Sequence, residues 1–315
     1  MRAGLARSYT PDASFLDPRV LSTIGNLELL ARTVVQGFLG GLHRSPHLGS
    51  SLDFAEHRPY MPGDDVRRID WRLFARTDRF YVKEYEADTN TNFMIVLDIS
   101  RSMDFGSDGI TKLDYARYLA ASLAYLSDGQ RDRVGLITFD NDVVDHVRPG
   151  PRQFEVVLRT IDRIRPGGPG SMSAPLSRVA ESFRRKSIVL LISDFYEEPR
   201  DAVRAVNMLR QRGNDLIAFQ VLDPAELNFE FDEAYNFEDL ESGETMSVVP
   251  DQLRSQYRDL MREHTSQLAQ LAGAQRIDYA LFDTSTPLDH ALFHYLSRRE
   301  RGARHGSRIS GNRIR

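Results

Sequence analysis

Phe93-Met94-Ile95-Val96-Leu97 is a run of five consecutive apolar residues, too short for a helix of ordinary length and rich in β-branched and aromatic side chains. Such a run reads as a strand buried on both faces, and a strand of that kind belongs in the middle of a sheet. The run breaks at Asp98, and Ser100 and Ser102 follow at alternate positions. One carboxylate and two hydroxyls are thus expected at the carboxyl end of a central strand, where open α/β sheets bind ligands. Oxygen donors without nitrogen or sulfur suit a hard cation, Mg²⁺ first and then Mn²⁺ or Ca²⁺. Taken alone, the pentapeptide is read first as a turn whose polar side chains bond their own backbone. The rest of the chain is what favours an ion site.

Further along, Arg133–Phe139 is a second buried strand, and Asp140-Asn141 turns it back into Val143–Val147, an antiparallel edge. Ser187-Ile-Val-Leu-Leu-Ile-Ser-Asp194 is a third, and its closing Asp194 sits where Asp98 sits on its own strand. Leu216–Leu222 and Ile277–Phe282 complete the set. Helical periodicity separates these strands: Ala116, Leu119, Ala120, Leu123 and Leu126; then Phe154, Val157, Leu158 and Ile161; then 202–211, and a long helix through Leu253, Leu260 and Leu268. Leu288–Leu296 reads as a last helix. This alternation predicts an α/β fold with a doubly wound, mostly parallel sheet. Residues 229–249 read as an inserted β-hairpin, and the loop Gly170-Ser171-Met172-Ser173 adds hydroxyls ahead of a helix.

Before the sheet, Ile24, Leu27, Leu30, Val34 and Phe38 mark an amphipathic helix over 19–42, with Asp17-Pro18 as its start. Residues 54–76 then gather Arg58, Arg67, Arg68, Arg76, Asp64, Asp65 and Asp70 around the single tryptophan, Trp71. Both charge signs together read as an ion-paired brace, or alternatively as a partner-facing patch in which arginine forks bind carboxylate or phosphate. The organisation predicted is an N-terminal segment over 1–88, an α/β domain over 89–299 and a disordered basic tail over 300–315.

Composition removes several function classes. With no cysteine, thiolate zinc sites, disulfides and a cysteine nucleophile are all out of reach. The formal net charge is −4, and seven arginines against Glu300 put +6 of it in residues 298–315, which leaves about −10 on the remaining body. An acidic body argues against nucleic acid as the main partner, although the arginine tail keeps that alternative open. Residues 1–11 lack an apolar core of signal-peptide length and no apolar run approaches a membrane span, so a cytoplasmic protein is expected. His290 and His294 stand four apart but lack the glutamate of a zinc-protease motif, and no Gly-x-Ser-x-Gly is present.

In chain order, Asp98-x-Ser100-x-Ser102, a hydroxyl loop at Ser171 and a strand-end Asp194 resemble the metal-ion-dependent adhesion site of von Willebrand factor type A domains. A longer pattern is more specific. Arg58-x-Tyr60-x-Pro62-Gly63-Asp64-Asp65-x-Arg67-x-Ile69-Asp70-Trp71, then Ala75-Arg76 and Glu84, resembles the bacterial family called domain of unknown function 58. The resemblance continues through Asp132–Leu136, Ile192–Phe195, Phe237–Gly243 and Asp283–Leu288, and so spans roughly residues 20–299. It implies a von Willebrand A-like domain on a six-stranded Rossmann-type sheet, with Asp98, Ser100, Ser102, Asp194 and either Ser171 or Ser173 as metal ligands. It also implies a MoxR-type AAA+ ATPase as partner in a chaperone-like pair.

The expected activity is therefore that of a non-enzymatic binding module, whose Mg²⁺ accepts an acidic side chain from a protein ligand. A metal-dependent phosphoester hydrolase with Asp98 as nucleophile is the alternative. Against it, Ser100 stands where phosphoaspartyl enzymes carry a second aspartate.

Overall fold

Asp17 and Pro18 begin the first helix as their chemistry requires. The Asp17 carboxylate accepts the backbone N–H of Arg19, and Pro18 fills a position whose own N–H would have no partner. This helix, α1, runs only over Pro18–Leu21, and a second, α2, covers Leu27–Arg44. The single helix predicted over 19–42 is thus two, and the cause is local. Ser22 and Thr23 turn their hydroxyls back on the carbonyls of Arg19 and Val20, while Asn26 offers its side chain to the N–H of Leu29 and starts a new helix. On α2, Leu27, Leu30, Ala31, Val34, Val35 and Phe38 are buried, the stripe that a 3.6-residue period marks out.

The computed structural model describes residues 17–44, 57–59, 81–83, 91–210, 213–229, 235–238, 245–248 and 250–292. It divides the chain into two units, Met1–Phe38 together with Thr91–Arg315, and Leu39–Asn90. Within the second unit, β1 (His57–Pro59) and β2 (Tyr81–Lys83) pair antiparallel, with Arg58 opposite Val82.

In the larger unit the apolar runs become strands. They are β3 (Asn92–Asp98), β4 (Arg133–Phe139), β5 (Val143–Val147), β6 (Ser187–Ser193) and β7 (Asp215–Leu222). A two-stranded hairpin, β8 (Tyr235–Glu238) with β9 (Thr245–Val248), lies in the insertion, and β10 (Asp278–Asp283) follows. Six of them form one sheet in the order β10-β7-β6-β3-β4-β5, parallel throughout except for the β4–β5 pair at one edge.

Helices cover both faces. α3 (Lys112–Gly129) and α4 (Phe154–Arg163) pack together on one side, with α3 against β3, β4 and β7. α5 (Ser173–Ser182), α6 (Pro199–Met208) and α8 (Pro250–Ala274) cover the other, and the five-residue α7 (Pro224–Asn228) touches α8. A last helix spans 288–292 within the described residues. This is the doubly wound α/β fold that the sequence predicts.

Alternation along each strand divides the core between the two layers. Met94 and Val96, Val189 and Leu191, and Leu216 and Ala218 share one cluster with Leu176 and Val179 of α5, Ala202 and Val206 of α6, and Leu268 of α8. Each buried side chain of this size contributes about 1.5–3 kcal/mol relative to exposure. Strand order then positions the site. β4 and β5 lie to one side of β3, and β6, β7 and β10 to the other, so the connections reverse direction between β3 and β6. A crevice opens at the carboxyl ends of two such strands.

Gly135, in the middle of β4, shows how closely the edge is packed. A Cβ there would lie 2.8 Å from the Pro149 ring and its nitrogen, so the backbone of one of them would have to shift. Gly135→Ala is expected to destabilise the protein by about 1–3 kcal/mol, measured as a lower midpoint in urea denaturation.

Candidate metal centre

Register brings the two strand-end aspartates together. Leu97 of β3 pairs with Ile192 of β6, so the next residues, Asp98 and Ser193, are neighbours across the crevice. The Ser193 hydroxyl donates to Asp98 Oδ2 at 2.6 Å, and the Ser100 N–H donates to Asp98 Oδ1 at 2.9 Å. The self-bonded turn and the ligand site considered for this pentapeptide therefore coexist. One carboxylate oxygen orders its own loop and the other reaches the next strand. Ser100 caps a short 3₁₀ turn over Arg101–Asp104, and this places the hydroxyls of Ser100 and Ser102 3.1 Å apart.

Asp194 follows Ser193 on a turn held from three sides. The Ser193 hydroxyl accepts the Phe195 N–H, Gln220 Nε2 donates to the Asp194 carbonyl at 2.7 Å, and His264 Nε2 on α8 donates to the Phe195 carbonyl at 2.8 Å. Phe195 itself has a left-handed backbone, φ 53°, which costs a non-glycine residue on the order of 1 kcal/mol and is sustained by those bonds.

The hydroxyl loop is tied to the same end of the sheet. Gly167 N–H donates to the Ile99 carbonyl, Arg101 N–H to the Gly168 carbonyl, Gly168 N–H to Asp140 Oδ2 and Met172 N–H to Glu197 Oε1. Of the five residues predicted as ligands, Asp98, Ser100, Ser102 and Asp194 converge. Ser171 is half-buried in the clamped loop, its N–H on the Asp140 carbonyl, and Ser173 is the exposed first residue of α5. Neither hydroxyl bonds to the cluster. Of the N-terminal signature, Arg58 lies in β1, while Tyr60, Asp64, Asp65, Arg67, Asp70, Trp71 and Arg76 fall outside the described residues, as does the basic tail.

Asp98 and Asp194 are 5% and 3% exposed, and among the described residues no basic side chain faces Asp98. Burial, and then the neighbouring Asp194, push the Asp98 carboxyl up to about 7, against the hydrogen bonds from Ser193 and Ser100 that favour its charged form. Among the described residues no three histidine, aspartate or glutamate side chains gather as an ion-binding group. A cation would therefore rest on the two hydroxyls and the two carboxylates. These donors fit Mg²⁺: with ligands at about 2.1 Å, adjacent oxygens of an octahedron lie about 2.9 Å apart. The Ser100–Ser102 separation of 3.1 Å is close to that edge.

Three participants were not foreseen in the sequence. Lys112 is fully buried, and its ammonium donates to Asp194 Oδ2 at 2.9 Å and to Glu226 Oε1 at 2.7 Å, with the Tyr196 ring centroid 4.5 Å away. Burial alone would push Lys112 down, but Asp194 and Glu226 together raise it above the ordinary lysine range, so it stays charged. Signals for Lys112 and Glu226 existed. Lys112 lies on the same stripe as Ala116, Leu119 and Leu123, where a lysine must be buried with a counter-charge. Asp223-Pro-Ala-Glu226 is a capping-box pattern, and α7 has that box in full.

A doubly wound sheet with one antiparallel edge, and an Asp-x-Ser-x-Ser cluster at its switch point, defines a von Willebrand A-like domain. The chain belongs to the family described as protein of unknown function DUF58, whose model matches residues 56–267. An uncharacterized protein of Mycobacterium tuberculosis is 31% identical over 233 residues, covering 72% of this chain and 73% of that one. Among solved structures, the conserved hypothetical protein BatB from Bacteroides thetaiotaomicron superposes with a TM-score of 0.46 at 16% identity, over 66% of this chain and 98% of that one. The SpRpn10 VWA domain superposes with a TM-score of 0.39 at 11% identity, over 64% and 93%. These superpositions are loose, and the fold rests on the strand order and burial above.

The carboxyl of Asp98 sets a pH dependence whose sign can be worked out. Its folded pKa lies above the ordinary 3.8, so its contribution to stability is present below that value and lost as pH rises through about 7. In chelator, the melting temperature of Asp98→Asn relative to wild type should rise between about pH 5 and about pH 8. Mg²⁺ should raise the wild-type melting temperature more at the higher pH, where no proton competes for Asp98. Equal Mg²⁺ responses at both values in thermal denaturation would remove Asp98 from the ion.

Proposed function

We propose that the chain is a non-enzymatic binding module, in which a hard cation at the carboxyl end of the sheet receives an acidic side chain of a protein ligand. The observation that carries this is the pair of serine hydroxyls, set at the spacing of an octahedral edge beside the buried Asp98, which no base among the described residues faces. Ser100 and Ser102 would hold Mg²⁺ directly, with Asp98 and Asp194 beside it, and Mn²⁺ or Ca²⁺ could substitute. The ion would supply an electrophilic position for a carboxylate. The chain's own residues supply the rest: Ser193 and the Ser100 N–H orient Asp98, and the Asp140-tethered loop walls the site.

The hydrolase alternative is the weaker one. Each Asp98 oxygen accepts a single hydrogen bond, from Ser193 or from Ser100, and keeps a lone pair, so these bonds suit an ion ligand and do not by themselves bar a nucleophile. Ser100, however, stands where the general acid of such enzymes belongs. The arginine tail on which the nucleic-acid alternative rests lies outside the described residues, and the acidic body argues against that alternative. Among the described residues no helix is long and apolar enough to cross a membrane, and we place the protein in the cytoplasm. Family resemblance supports a MoxR-type AAA+ ATPase as the ligand that brings the carboxylate.

A pull-down with such an ATPase in Mg²⁺ tests this reading. Asp98→Ala or Asp194→Ala should reduce capture at least about tenfold, the effect of 1.4 kcal/mol in binding, and removal of Arg298–Arg315 should leave it intact. Capture lost with the tail but kept in both aspartate variants would overturn the mechanism. The same preparations should show no Mg²⁺-dependent phosphomonoester or ATP hydrolysis, and turnover that disappears with Asp98→Asn would restore the hydrolase.

A further inference from the structure

Lys112 is the first residue of α3, with Thr111 as its cap, and is 0% exposed. A positive charge at a helix N-terminus opposes the helix dipole, and a lysine loses most of its hydration when enclosed. Both costs are accepted here for one arrangement. The ammonium is held between Asp194, on the turn after β6, and Glu226 on α7. None of its hydrogen bonds goes to Asp98, Ser100 or Ser102.

Glu226 is not free to move away. Its Oε1 accepts from Lys112 and its Oε2 accepts the Asp223 N–H, closing the capping box of α7. Asp223, itself 0% exposed, accepts in turn from the N–H groups of Ala225 and Ser107. The ammonium is therefore a fixed charge beside the cation site, set by three separate elements.

We propose that Lys112 is a built-in counter-ion that weakens the cation site, by neutralising Asp194 and keeping its Oδ2 occupied. This rests on the reading of Asp98, Ser100, Ser102 and Asp194 as that site. Asp194 can then turn only Oδ1 to an ion, which favours an exchangeable cation over a permanently bound one. With Asp98 ionised, Asp98, Asp194 and Glu226 against Lys112 leave a local formal charge of −2, which one divalent cation cancels. Two substitutions outside the ligand set shift that balance in opposite directions. Lys112→Gln makes the surroundings more negative and should tighten binding. Glu226→Gln makes them less negative and should loosen it. A purely structural brace predicts lower thermal stability in both variants, with no change in affinity for the ion.

The experiment is a titration of the full chain with MgCl₂, read as the shift in melting temperature, and with Mn²⁺, read as free ion by electron paramagnetic resonance. The midpoint should fall on the order of tenfold in Lys112→Gln and rise on the order of tenfold in Glu226→Gln, the scale of one unit charge in a partly solvated pocket. Asp98→Ala should abolish the response. If Lys112→Gln does not fold, the weakened midpoint of Glu226→Gln carries the test alone. A wild-type response with unchanged midpoints in the variants overturns the role of Lys112 and leaves the cation site standing. A silent wild type with a responsive Lys112→Gln supports Lys112 as the resident cation and overturns the Mg²⁺ site in the wild type. Silence in wild type and both variants overturns both.

Discussion

Two buried carboxylates held side by side are the constraint on which the centre of this protein depends. The parallel pairing of β3 with β6 brings them close, because Asp98 ends β3 level with Ser193 and Asp194 is the next residue beyond β6. Like charges at 5% and 3% exposure repel, and water is not there to screen them. The surrounding structure answers this in three ways. Ser193 and the Ser100 backbone hydrogen-bond the Asp98 carboxylate, Lys112 takes the charge of Asp194, and the Asp98 carboxyl is pushed toward the neutral form at physiological pH.

The same constraint ties together elements that are distant in sequence. Lys112 opens α3 on one face of the sheet, Glu226 belongs to α7, and His264 on α8 holds the strained turn that follows Asp194. A change in charge between β3 and β6 is thus felt by three helices through direct bonds. Buried ion pairs seldom add much net stability, since desolvation consumes most of the attraction. The Lys112 triad is better understood as fixing one arrangement of the crevice than as a source of folding energy.

The sheet was legible because its strands are apolar on both faces. Runs such as Phe93–Leu97 and Ile188–Ile192 have no other soluble fate, and their spacing left room only for crossover helices. The edge hairpin at Val143–Val147 was legible through Asp140-Asn141 and through alternation, which survives at an edge where one face stays wet. The break between α1 and α2 was not, because the apolar period continues across it. It depends on which hydrogen bonds Ser22, Thr23 and Asn26 choose, a competition that periodicity does not register.

Asp98, Ser100 and Ser102 are one strand and one turn, so their convergence follows from local chain geometry, and the sequence by itself determined it. It also determined the class of fold, through strand-helix alternation, and the family, through the motifs at 58–76 and beyond. Only the tertiary structure decided which oxygens are already bonded and which charges already paired. Lys112, Ser193 and Glu226 reach the site from elements far apart in the chain, as the separations of 82, 95 and 114 between bonded residues show. The place of Lys112 on the stripe of Ala116, Leu119 and Leu123 is a local sign of burial, but nothing local names the carboxylates that meet it. Its burial is set by how α3 lies across the sheet, and that is a property of packing, which no single segment contains.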